Sequence, residues 1–181
     1  MSTAIDAARC LVKLAATDPE GEPMTPLVLH KLLYYCQGWH LAWTGHPLFA
    51  NQIEAWWHGP VVPDVYAQPW GQGASPIPDL GEPADLSADQ KRAIEQVWKH
   101  YREFSAYGLR HKTHSEAPWR NHYDPDDSGR CNKVISPADL AAFFGEEYQR
   151  LTGEPIETET GPVVVHSSGL TLDQLRQVVG W

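Results

Sequence analysis

The hydrophobic pattern of the chain centres on residues 25–45, where apolar side chains occupy almost every side of a predicted helix. Thr25 can cap this helix, Pro26 suits its first position, and Gly45 suits its end. Positions three and four apart form one continuous apolar face: Leu29, Leu32, Leu33, Cys36, Trp39, His40 and Trp43. A helix that is apolar nearly all round is usually surrounded by other elements. The pattern therefore predicts the central helix of a domain.

Weaker periodic patterns predict further helices on both sides of this one. Each begins at a hydroxyl residue that can cap it: Thr3, Ser87, Ser105 and Ser136. Ser87 and Gln90 have the spacing of a capping box, and the apolar stripe that follows is Ile94, Val97, Trp98, Tyr101 and Phe104. The helix after Ser136 is expected to stop at Gly145.

A different pattern, an alternation of period two, covers residues 52–57 and predicts a short strand. Residues 61–67 are expected to form a short helix, and residues 68–85 and 115–131 to form loops. The predicted fold is mainly α: a compact helical domain around a central hydrophobic helix, with a small β element and a C-terminal appendage. We predict a domain over residues 1–145 and an extension over residues 146–181.

Composition and charge narrow the classes of partner. Hydrophobic residues make up 42% of the 181 residues, enough for a sizeable core. The net charge of −9 argues against direct binding to nucleic acid, which needs clustered Lys and Arg. No stretch has the character of a signal peptide or a membrane span, so we expect a cytoplasmic protein with no membrane partner. Three cysteines do not suggest a disulfide framework.

Candidate chemistry is sparse. One candidate is a zinc site of a metal-dependent enzyme, with ligands from His111, His114, Glu116 and His122. These residues match no zinc signature, so histidines beside a surface loop are the plainer interpretation. Cys36 and His40 share a helix face, yet that face is assigned to the core. There is no phosphate-binding loop and no serine nucleophile elbow. Composition and spacing alone thus identify no reaction.

Four motifs, however, resemble one family. They are KLLYYCQGWHLAWTGHPLF (31–49), IEAWWHGPVVPDVY (53–66), THSEAPWR (113–120) and ISPADLAAFF (135–144). Together they resemble the Panacea family, also called SocA-like or GepA-like, over roughly residues 5–145.

This resemblance implies an antitoxin of a bacterial or phage toxin–antitoxin module, which neutralises a cognate toxin by direct protein–protein binding. One branch, the SocA type, acts instead as an adaptor that delivers its toxin to the ClpXP protease, so this alternative stays open. The resemblance implies neither enzymatic activity nor a cofactor. The sequence leaves open whether the chain forms a homodimer.

Aromatic and polar residues of the shared motifs are the candidates for partner binding, because interface hot spots are rich in Trp, Tyr and Arg. We predict a functional surface around Lys31, Tyr34, Tyr35, Gln37, Trp57, His58 and Trp119. The alternative is that these residues maintain the fold and that loops and tails select the partner. Residues 146–181 carry apolar positions of their own and are predicted to help specify the partner or the oligomer.

Overall fold

Seven helices and one small antiparallel sheet make up the part of the chain that the computed structural model describes, residues 3–19, 23–70 and 73–153. The helices are α1 (Ala4–Thr17), α2 (Pro26–Thr44), α3 (Pro63–Tyr66), α4 (Ala88–Tyr101), α5 (Ala106–Ser115), α6 (Ala117–Arg120) and α7 (Pro137–Thr152). The strands are β1 (Ile53–Trp56), β2 (Gly59–Val61) and β3 (Val134–Ile135), in the order β2-β1-β3. The predicted mainly α fold is confirmed.

Helix α2 is the centre of the fold, as its pattern predicts. The Thr25 hydroxyl accepts from the Val28 N–H, and Gly45 ends the helix with φ +71 and an N–H bond to the Leu41 carbonyl. Every residue from 29 to 42 is buried. Helices α1, α4, α5 and α7 and strand β2 all pack against α2, so its apolar surface is covered on all sides.

Helix α7 packs tightly on α2, and a glycine permits this packing. A Cβ atom added at Gly38 would lie 2.1 Å from Cε2 of Phe144. The Phe144 ring makes edge contacts with the rings of Tyr34, at 5.4 Å between centroids, and Trp39, at 5.1 Å. This is an aromatic cluster that only a hydrogen side chain on α2 can accommodate.

The helix starts agree with the sequence predictions, while two details differ. Thr3, Ser87, Ser105 and Ser136 all cap their helices. The apolar stripe of α4 ends at Tyr101, and Phe104 lies beyond the helix with 41% of its surface exposed. A further short helix, α6, lies within the predicted loop 115–131, where Pro118 near its start favours a helical turn.

The predicted stop of the last helix at Gly145 is wrong. Helix α7 continues to Thr152 and ends at Gly153, which has φ +70. Gly145 is buried inside the helix, and Tyr148, one turn later, packs into the core. Burial of that turn outweighs the modest cost of a glycine in a helix. The rest of the predicted appendage, residues 154–181, lies outside the described residues.

The predicted strand near residues 52–57 is confirmed as β1, the central strand of the sheet. It pairs with β2 through Trp56↔Gly59 and with β3 through Ile53↔Ile135. The sequence pattern missed β2 and β3, since two or three residues are too few for an alternation to show. The short helix predicted over residues 61–67 begins later than expected. Val61 belongs to β2, and α3 begins at Pro63.

Candidate functional site

A layer of buried polar side chains joins α2 to the segment that contains β1 and β2. Gln37 makes the first connection through three hydrogen bonds. Its Nε2 donates to the Phe49 carbonyl at 3.0 Å, and its Oε1 accepts from the N–H groups of Leu48, at 2.9 Å, and Phe49, at 3.2 Å. The amide side chain thus satisfies backbone groups that would otherwise be buried without partners. It fixes the chain just before the sheet begins.

Lys31 makes the second connection, one that is unusual for a charged residue. Its side chain is fully buried, and Nζ donates to the Pro60 carbonyl at 2.9 Å. Burial, and then the charge of Arg110, lowers the pKa of Lys31 to about 7. Gly59, with φ +102, lies directly against this ammonium group: a Cβ atom there would be 2.8 Å from Nζ. Glycine is therefore required at this turn for its backbone conformation and for its lack of a side chain.

His30 makes the third connection. The N–H of Val62 donates to His30 Nδ1 at 3.3 Å, so this nitrogen must be unprotonated. Burial, and then the charge of Lys31, lowers the pKa of His30 to about 3. The neutral imidazole therefore stays an acceptor at physiological pH. Three side chains of α2 thus fasten residues 48–62 to this helix.

We predict that acid weakens the fold through His30. The folded-state pKa of about 3 lies below the ordinary value of 6.5, so the unfolded chain binds more protons between these values. The stabilising contribution of His30 is thus fully present above pH 6.5 and is lost as the pH falls towards 3, by up to about 1.4 kcal/mol per pH unit.

Urea unfolding at a series of pH values measures this loss. His30→Asn keeps an acceptor near the Val62 N–H but cannot titrate, so its unfolding free energy should fall less steeply with acid than that of the wild type. The exposed His111 supplies the control, since His111→Gln should leave the slope unchanged. Equal slopes for His30→Asn and the wild type contradict the prediction.

Glu116, between α5 and α6, forms a second buried polar centre. Its carboxylate accepts from the hydroxyls of Tyr34, at 2.9 Å, and Tyr35, at 3.1 Å, and lies 3.3 Å from Nζ of Lys112. Burial raises the pKa of Glu116, and the Lys112 charge opposes that rise. Burial and then the neighbouring carboxylate raise the pKa of both tyrosines, so their hydroxyls remain proton donors. This centre ties the α5–α6 junction to α2.

These contacts correct part of the predicted partner-binding surface. Lys31, Tyr34, Tyr35 and Gln37 do not lie on a surface, because α2 is surrounded and their polar atoms bond to groups inside the protein. Trp119 is also buried, with 8% of its surface exposed, and its Nε1 donates to the Trp56 carbonyl at 2.9 Å. The structure therefore places these five residues of the predicted surface inside the protein.

The exposed remainder of the predicted surface is Trp57 and His58, which form the turn between β1 and β2, here called the Trp57 turn. Trp57 has 58% of its surface exposed, and His58 is exposed beside it. The Trp57 ring meets Tyr123 edge-on at 6.3 Å, and Tyr123 stacks on Trp119 at 4.6 Å. Partner binding through Trp57 and His58 stays a prediction. The structure adds the position of these residues, on an exposed turn that Tyr123 contacts.

The predicted metal candidates are not brought together. Glu116 is occupied by Tyr34 and Tyr35, His114 stacks on Trp119 at 3.8 Å, and His122 bonds to the Pro118 carbonyl at 2.8 Å. His111 is exposed on α5. Within residues 3–19, 23–70 and 73–153, no three His, Cys, Asp or Glu side chains are grouped so as to hold a metal ion.

The Cys36–His40 pair belongs to the core, as predicted. Burial raises the pKa of the Cys36 thiol well above its ordinary value, which disfavours the thiolate that nucleophilic chemistry needs. His40 Nδ1 lies 2.7 Å from the His46 carbonyl, a contact that orients the loop after α2. Neither side chain is placed for catalysis.

Comparison with known proteins adds one finding. Residues 29–120, about half of the chain, match the family model described as "Antitoxin SocA-like, Panacea domain". The match begins within α2 and ends with α6, so it includes both buried polar centres and the Trp57 turn. No curated protein and no solved structure compared with the chain gave a match. Among the described helices, none combines the length and apolar character needed to cross a lipid bilayer.

Proposed function

The chain belongs to the family of SocA-like antitoxins with a Panacea domain, and we propose that it neutralises a cognate toxin by binding the toxin protein directly at the Trp57 turn. The observation that carries this proposal is the exposure of Trp57. A tryptophan with 58% of its surface in solvent is poorly used as a core residue. The family is described by an antitoxin role rather than by a reaction, which favours a binding protein over an enzyme.

The support beneath the turn strengthens the proposal. Pro60 and Val62, immediately after the turn, are bonded to Lys31 and His30, and Trp56, immediately before it, accepts from Trp119 Nε1. An anchor side chain on a turn fixed from both sides loses little conformational freedom when a partner binds. Trp57 is therefore suited to act as an interface hot spot, a role in which tryptophan is enriched.

Co-expression with the product of the adjacent gene tests the function. We expect the neighbour to arrest growth when expressed alone, this protein to restore growth, and the two to purify as a complex. Direct masking predicts that the toxin persists in rescued cells, whereas delivery to ClpXP predicts that the toxin disappears in cells with the protease and persists without it. A harmless neighbour that does not bind this protein contradicts the proposal.

We predict that Trp57→Ala weakens toxin binding about 100-fold, since truncation of a hot-spot tryptophan costs about 2–4 kcal/mol. Titration calorimetry on the purified pair measures the dissociation constant, and circular dichroism checks that the variant is folded. Tyr107→Ala is the matched control, because Tyr107 is an exposed aromatic residue on α5, with 72% of its surface exposed. If the two variants bind the toxin equally well, the Trp57 turn is not the contact.

A further inference from the structure

Four basic side chains meet beside the Trp57 turn. His58 belongs to the turn itself, and Lys31 lies beneath it on α2. Arg110 and His114 are four residues apart on α5, so they share one face of that helix. We call these four residues the basic cluster.

Several contacts place the members of the basic cluster close together. The position of a Cβ atom on Gly59 would lie 2.8 Å from Lys31 Nζ and 3.0 Å from Thr113 Oγ1, so α2 and α5 meet under the turn. Burial and then Arg110 lower the pKa of His114, and the backbone of His58 opposes this lowering, so His58 and His114 are neighbours. Burial is the largest cause that lowers the pKa of Lys31, of His58 and of His114, and the charge of Arg110 is the second largest.

Among the described residues, the basic cluster lacks a counter-charge. In the part of the chain that the structure describes, none of its four members forms an ion pair. The protonated Lys31 side chain has three N–H donors, and among the described residues one of them has an acceptor, the Pro60 carbonyl. Arg110 Nε, which always carries a proton, is buried there without a hydrogen-bond partner. Such an unmatched donor is costly, and an anion that bonds to the Arg110 guanidinium would satisfy it.

We propose that two members of the basic cluster, the exposed His58 and the half-buried Arg110, bind one carboxylate group of the partner protein, an Asp or Glu side chain that enters beside Trp57 and above the buried Lys31. This inference rests on the proposed toxin binding, whose chemistry it specifies. The guanidinium of Arg110 offers paired N–H groups that match the two oxygens of a carboxylate. A polyanion such as nucleic acid is disfavoured because the whole chain carries a net charge of −9, whereas a single carboxylate interacts mainly with its immediate neighbours.

The proposal has a consequence for pH. Lys31, with its pKa of about 7, faces His58 on the turn, Arg110 and Thr113 on α5, and the Pro60 carbonyl on β2. A bound carboxylate favours the protonated form of Lys31, so binding takes up a proton above pH 7. The affinity for the carboxylate should therefore decrease as the pH rises from 6.5 to 8.5.

The first experiment uses the purified chain without any partner. Sodium acetate, compared with sodium chloride at equal ionic strength, should give saturable NMR shifts at the imidazoles of His58 and His114, more strongly at pH 6.5 than at 8.5. Arg110→Gln should abolish these shifts. Arg92→Gln, which removes an exposed arginine paired with Asp89 on α4, should keep them. Saturation with phosphate but not acetate, or with neither, overturns the proposal and leaves toxin neutralisation intact.

The second experiment uses the complex with the cognate toxin. We expect Arg110→Gln and His58→Gln each to weaken binding at least about tenfold at pH 7, and Arg92→Gln to bind like the wild type. Wild-type affinity should decrease between pH 6.5 and 8.5, a dependence that Lys31→Met should reduce. Unchanged affinity in both cluster variants overturns the carboxylate site. If the wild type binds no toxin, the proposed function fails, while the acetate experiment still decides whether the cluster binds carboxylate.

Discussion

Replacing Gly38 with alanine is expected to lower the free energy of unfolding by about 3 kcal/mol, at the upper end of the usual cost of overpacking. The added Cβ atom would lie 2.1 Å from Cε2 of Phe144, far inside contact distance. The ring cannot simply turn away, because Tyr34 and Trp39 contact it from the side of α2. Helix α7 must move outward, and the buried surface between the two helices then decreases.

Urea unfolding measures the effect, and a second glycine supplies the control. Gly108 also lies in a helix, but the nearest atom to its added Cβ is the Ser105 hydroxyl at 3.3 Å. Gly108→Ala should therefore be neutral or slightly stabilising, since alanine is the better helix former. Adding Phe144→Leu to Gly38→Ala should recover part of the lost stability. A cost below about 1 kcal/mol for Gly38→Ala contradicts the close packing of α2 on α7.

The second large effect is expected for Glu116→Ala, which should cost about 3–5 kcal/mol because it leaves polar partners buried without an acceptor. The hydroxyls of Tyr34 and Tyr35 are fully buried and both donate to this carboxylate. Removal of the side chain also opens a cavity where α5, α6 and α2 meet.

Glu116→Gln separates the hydrogen bonds from the charge. Glutamine retains one oxygen acceptor at nearly the same volume, so we expect about half the loss seen for alanine. Equilibrium unfolding gives the free energies, and near-ultraviolet circular dichroism reports the tyrosine environment. If the alanine and glutamine variants are equally stable, the two tyrosine hydroxyls do not depend on Glu116.

Local signals explain the elements that the sequence predicted correctly. The start and end of α2 depend on Thr25, Pro26 and Gly45, residues that act on their own turn of backbone and so can be identified without a fold. The end of α7 has a different cause. Gly145 resembles a helix stop by its local chemistry, but the burial of Tyr148 one turn later decides the outcome, and that burial depends on distant elements.

The candidate site likewise depends partly on local sequence and partly on contacts between residues far apart in the chain. Lys31 and Gln37 were predicted to belong to a partner-binding surface because they are polar residues of a motif shared with the family. Their partners are backbone atoms of Pro60 and Phe49, whose proximity only the fold creates. The basic cluster was not predicted because Lys31 and Arg110 lie far apart along the chain, and no spacing rule joins them. Trp57 was predicted as a contact residue, and the structure places it just past the end of β1.

The three α2 side chains that fasten residues 48–62 all bond to main-chain atoms: those of Leu48, Phe49, Pro60 and Val62. Main-chain atoms are present whatever the amino acid, so these bonds impose no side-chain identity at positions 57 and 58. Only Gly59 is restricted, by its φ of +102 and by Lys31. The scaffold can therefore exchange its two outermost side chains, and with them its partner, at little cost to folding. Evolution or design could retarget the protein by substitutions at these two positions.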